Sequence, residues 1–95
     1  MTTKTKIQFS NHASEKSTER KITKEDIYKT LDNPDMLFKD LSHNTLIAVK
    51  EIAGKSVVVA YERDEVIRVV TVYHTSKLDK LIRSKLRRGL WRKLR

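Results

Sequence analysis

His12, His43 and His74 are the only side chains in this sequence whose ordinary pKa lies near neutrality, and there is no Cys to supply a thiolate nucleophile or a zinc ligand. Cleaving RNA without a metal needs three things. A base takes the 2′-hydroxyl proton, an acid returns one to the departing 5′-oxygen, and a cation steadies the phosphate. The run Tyr73-His74-Thr75-Ser76-Lys77 offers an imidazole, two hydroxyls and an ammonium just ahead of a helix start, where free amides favour an anion. His12 stands at a second strand-to-helix junction, with Arg20 eight residues on. His12, Arg20 and His74 are therefore the candidate catalytic set, and His43, in a turn, is the outsider. The plainer alternative is that Thr75 and Ser76 only cap a helix while His74 packs at a sheet rim. No histidine is placed four residues from another, so no metal site is expected. Gly54 and Gly89 are too far apart for a phosphate loop, no Ser sits in a nucleophile elbow, and no cofactor is expected.

Charge narrows the partner. The 95 residues hold 21 Lys and Arg against 12 Asp and Glu, a net +9. Residues 76–95 contain nine basic residues opposed only by Asp79, so this stretch carries +8 and the first 75 residues carry +1. A near-neutral domain with one basic element suits a polyanion, RNA before DNA, with an anionic membrane second. Lys77, Arg83, Arg87, Arg88 and Arg92 in that element, with Lys50 and Arg68 in the strands before it, are the candidate phosphate contacts. Trp91, set among Arg87, Arg88, Arg92 and Lys93, is the candidate for stacking on a base, unless it anchors the C-terminal segment on the domain. Tyr61 and Tyr73 are weaker candidates for the same role. The longest apolar run, Val57 to Tyr61, is five residues, far short of a membrane span, and the first ten residues lack an apolar signal core, so a cytoplasmic protein is expected.

These residues need elements to hold them. Residues 1–5 read as a disordered leader and 6–95 as a single domain. Lys6 to Ser10 alternates around Ile7 and Phe9 as a short strand. Ser10 or Asn11 caps a surface helix reaching about Lys21. Thr23, with acids two and three residues on, caps a second helix carrying Ile27, Tyr28 and Leu31, and Asn33-Pro34 ends it. The period then falls to two, giving strands at Met36–Leu41, Thr45–Ile52, Ser56–Glu62 and Val66–Tyr73, joined by turns rich in Ser, Asn, Gly and Asp. The last two are apolar on both faces and belong inside the sheet. Alternation puts Arg68 on one face with Val70, Val72 and His74. Ser76, with Asp79 three residues on, starts a basic helix over 76–95 with a stripe of Leu78, Leu81, Ile82, Leu86 and Leu90; Gly89 ends or kinks it. The expected class is α+β: a short strand, two helices, a four-stranded antiparallel meander and a basic C-terminal helix.

Three runs carry a family resemblance. Phe9-Ser10-Asn11-His12-Ala13, then Glu19-Arg20-Lys21-Ile22-Thr23-Lys24-Glu25-Asp26-Ile27, then Leu31-Asp32-Asn33-Pro34 resemble the family called domain of unknown function 4258. Val69-Val70-Thr71-Val72-Tyr73 is similar to its final strand, so the resemblance covers nearly residues 6 to 94. That family looks related to the RelE, ParE and BrnT toxins, whose helices precede an antiparallel sheet. The resemblance implies an endoribonuclease toxin, free or ribosome-linked, with an antitoxin protein as partner and basic and aromatic side chains working from the sheet. His12 and Arg20 match recurring polar positions of the family. The chain departs from the pattern in its basic end, Arg83 to Arg95, which suits RNA or DNA binding without cleavage. Two other readings stand beside the toxin: a non-catalytic nucleic-acid-binding module, and an interaction protein whose basic helix docks an acidic partner.

Overall fold

The computed structural model describes residues 6–95, so the expected leader at 1–5 lies outside the described residues. After a short strand, β1 (Ile7–Phe9), the helix α1 (Asn11–Glu19) starts at Ser10, whose hydroxyl accepts the Ala13 N–H at 3.0 Å. It stops at Lys21, whose φ of +55° turns the chain away. The next helix, α2 (Lys24–Asp32), starts at Thr23, whose hydroxyl accepts the Asp26 N–H at 3.1 Å, while Glu25 and Asp26 oppose the positive end of the helix dipole. Four strands follow: β2 (Met36–Asp40), β3 (Thr45–Ile52), β4 (Lys55–Arg63) and β5 (Ile67–Thr75).

All strands join one sheet in the order β1-β5-β4-β3-β2-β6, where β6 is Trp91–Lys93. β1 runs parallel to β5, and the other pairs are antiparallel. Apolar side chains fill both faces. Ala13 and Ile27 of α1 and α2 pack on Val57, Val59, Val69 and Val72. On the other face Phe38, Ile47, Val49, Val58 and Trp91 meet Leu78, Leu81 and Ile82 of the last helix, α3 (Leu78–Arg87). The unbroken apolar run of β4 is explained by this three-layer arrangement, because its alternate side chains enter two different cores.

The edge of β5 shows how α1 is positioned. β1 ends at Phe9, opposite Val69, so the β5 carbonyls beyond it lack a strand partner. The N-terminal half of the chain satisfies them: Ser10 N–H donates to Val69 O, Ser10 Oγ to Val70 O at 3.1 Å, and Arg20 Nη1 to Val72 O at 2.9 Å. An exposed edge is thereby covered by a helix.

The structure corrects the sequence reading in three places. First, a bulge at Ala60/Tyr61 pairs Ala60 with Thr71 and Tyr61 with Val69, leaving Val70 as the extra residue. The extra residue flips the alternation, so Arg68 faces the α3 side while Val72 and His74 face α1 and α2. Second, the basic segment is not one helix over 76–95. α3 ends at Arg87, where Gly89 at φ +71° lets its N–H reach Leu86 O and the Leu90 N–H reach Lys85 O. The chain then forms β6 beside β2, a sixth strand. Third, Ser76 does not cap α3. Thr75 Oγ1 accepts the Lys77 N–H at 3.0 Å, and Lys77 occupies the cap with no side-chain bond.

Candidate functional site

The basic surface is built by the period of α3. Leu78, Leu81 and Ile82 face the sheet, which turns Lys80, Arg83 and Arg87 outward at i, i+3 and i+7. At a rise of about 1.5 Å per residue they form a ridge about 10 Å long. No ion pair among the described residues involves any of them. Arg88, exposed at the helix end, and Lys77, before its start, extend the same element. Lys80 joins Arg83 and Arg87 on this ridge, a spacing that is legible in the sequence. Leu86 is 41% exposed and lies off the apolar stripe expected of it.

Other candidates sit elsewhere. Trp91 is not a stacking surface. Its pairing opposite Asp40 turns the indole inward, where it is 5% exposed, 5.1 Å from the Phe38 ring and covered by Lys85 at 5.7 Å. Arg92 lies opposite Lys39, on the sheet face away from α3. Lys50 Nζ donates to Asn33 O at 2.9 Å and pairs with Asp35 at 3.5 Å, so it fixes the corner between α2 and β2. Arg68 pairs with Glu62 at 3.4 Å, both about half exposed, a link worth about 0–1 kcal/mol. Tyr73 is half-buried against the α3-side core; burial, and then the charge of Asp40, push its phenol up.

Two of the three expected catalytic residues share a groove. Arg20, Lys21, Asp26, Lys55, Val57 and His74 line it at the end of the sheet where β5 leads into α3. Val57 and His74 are register partners, so the exposed imidazole stands on the face of α1 and α2. Arg20 is held there by its bond to Val72 O, which uses one of its five donors. His12 is exposed at the other end of α1, about 12 Å along the helix axis from Arg20, and does not line this groove.

His43 has a carboxylate neighbour. Asp40 Oδ1 accepts from Ser42 Oγ at 2.7 Å and from the Ser42 and His43 amides, and Oδ2 lies 3.1 Å from His43 Nδ1. Burial pushes the Asp40 carboxyl up, but the Ser42 hydroxyl and the His43 amide and imidazole outweigh it and hold it below the ordinary value. A depressed folded pKa means stability that is present above the unfolded value near about 4 and lost as pH falls through the folded one. Asp40→Asn is therefore expected to lower Tm at pH 7, and its deficit against wild type to shrink steadily below pH 4. A deficit independent of pH would show that shape, not charge, matters there.

Among the described residues no cluster of three His, Asp or Glu could hold a metal ion, and no helix is long and apolar enough to cross a membrane. Searches of the curated proteins and of the solved structures returned no match to the chain. A family model, Domain of unknown function (DUF4258), matches residues 9–74. The match runs from the end of β1 through His74, taking in α1, α2 and the four-stranded meander and leaving α3 and β6 outside it. With more than half its length inside that match, the chain belongs to the DUF4258 family.

Proposed function

We propose that this protein binds RNA through α3, acting in the cytoplasm as a toxin of the RelE and BrnT type whose partners are an antitoxin protein or the ribosome. The observation that carries the binding is the ridge of Lys80, Arg83 and Arg87, turned to solvent with no acidic partner among the described residues. Three cations spread over about 10 Å match successive phosphates of a flexible strand better than a single carboxylate. The toxin likeness rests on the order of elements, two helices ahead of an antiparallel meander, and on the His12 and Arg20 motif positions. Binding is tested by titrating labelled single-stranded RNA between 50 and 200 mM salt. Log K is expected to fall linearly with log salt, by about 0.7 per phosphate contacted. A flat profile would return the helix to the reading in which it docks an acidic protein or serves only solubility.

The groove of His74 and Arg20 supports cleavage as a second step. There the imidazole can take the proton of a 2′-hydroxyl as that oxygen bonds to phosphorus and return it to the 5′-oxygen as the P–O5′ bond breaks, while Arg20 stabilises charge gathering on the phosphate. In buffer containing EDTA, His74→Ala is expected to slow RNA cleavage about 10²-fold with affinity nearly intact. His12→Ala, outside the groove, is expected to have a much smaller effect. Absence of cleavage by the wild-type protein, alone or on ribosomes, would leave the non-catalytic binding module.

A further inference from the structure

At the opposite end of the sheet from His74, a second groove opens beside the turn between β4 and β5, and strand register builds its floor on the face that α1 and α2 pack against. Arg92 of β6 lies across from Lys39 of β2, Lys39 from Leu46 of β3, and Leu46 from Tyr61 of β4. Four side chains from four strands thus stand in one row on one face, their strands about 4.8 Å apart. Asn44 and the turn between β4 and β5 wall the groove.

Tyr61 is the neutral polar member of that row. Its ring is buried in the core against α1 and α2, while its hydroxyl reaches the surface in the groove and makes no hydrogen bond to another described residue. Burial holds the phenol above its ordinary value, against the pull of Arg63 and Arg95, so at neutral pH it keeps its proton and can donate. Lys39, Arg63, Arg92 and Arg95 make no ion pair among the described residues, whereas Glu62 is taken by Arg68 at 3.4 Å. Asp64 and Glu65 line the groove as well and are exposed, as Arg63 is. Lys39 and Arg63 in the lining, Arg92 beside Lys39 and Arg95 near the Tyr61 phenol make four cations against these two unpaired acids, an excess that suits a phosphate, and Leu46 supplies an apolar floor between Lys39 and Tyr61.

We propose that this groove is a phosphate site, in which the Tyr61 O–H donates to a phosphate oxygen while Lys39 and Arg63 neutralise its charge. The phosphate comes from a free nucleotide or from the end of an RNA strand. The site does not rest on RNA binding by α3, which lies on the other face of the sheet.

Calorimetric titration of the full chain separates the cases, with uridine, uridine 5′-monophosphate, and a four-nucleotide uridine strand with and without its 5′-phosphate as probes. The phosphate is expected to tighten binding about tenfold, the worth of a charge-assisted bond. Tyr61→Phe keeps the ring and removes only the hydroxyl, and it should abolish that gain, as should Lys39→Gln. Lys29→Gln, an exposed cation on α2 outside the groove, should leave it intact. A gain with the mononucleotide identifies a free ligand, and a gain with the strand alone identifies a strand end. Equal binding of phosphorylated and unphosphorylated probes, or an undiminished gain in Tyr61→Phe, overturns the proposal. Failure of salt-dependent RNA binding by α3 leaves the mononucleotide result untouched, so the two readings fail separately.

Discussion

Replacing Lys80, Arg83 and Arg87 together by Gln is expected to weaken binding of single-stranded RNA about 10²-fold at 0.1 M salt and to flatten the salt slope by about two units. Counterion release sets the size of the effect. Each phosphate neutralised on a single strand contributes a slope of about 0.7, so three contribute about 2, and extrapolation from 1 M to 0.1 M salt turns that into about two decades. The loss should be similar for every sequence, because contacts to phosphates carry no base information. The fold should survive, since the three side chains point away from Leu78, Leu81 and Ile82. Circular dichroism and gel shift on the same preparation check both halves. Unchanged binding by a folded triple variant would dispose of the ridge as the RNA contact.

Trp91→Ala is expected to act on the fold and not on the ridge. The indole is buried against Phe38 and belongs to the strand that closes the sheet beside β2, so its removal leaves a cavity and loosens β6. Large aromatic-to-Ala changes in cores cost about 3–5 kcal/mol. At about 4–8 °C per kcal/mol for a domain of this size, Tm should fall by at least about 12 °C. A stacking role would give the opposite pattern, weaker RNA binding at nearly unchanged Tm, and thermal melts beside binding curves distinguish them.

What could be read in the sequence followed local chemistry. Thr23 and Ser10 cap their helices as their side chains suggest, and the period of two located β2 to β5 within two residues at each end. The errors come from features that local pattern does not record. A bulge adds one residue and reverses every side chain beyond it, which is why Arg68 and His74 separate onto opposite faces. Trp91-Arg92-Lys93 is too short to show a period and reads equally well as continuing helix. The groove of Lys39, Leu46 and Tyr61 has no sequence signature, because register assembles it from three strands. His12 and Arg20 share one short helix, yet its length keeps them at opposite ends.

The parallel pairing of β1 with β5 sets a timetable for synthesis. Ile7 pairs with Ile67, sixty residues later in the chain. At a ribosomal pace of about 5–20 residues per second, Ile7 and Phe9 wait about 3–12 s before their partner strand has even been made. The helices α1 and α2 emerge in that interval with no sheet beneath them, so the nascent chain carries bare apolar side chains for seconds. The β3–β4–β5 hairpins join residues close in sequence, whereas pairing β1 with β5 carries the loop-closure cost of a separation of sixty residues.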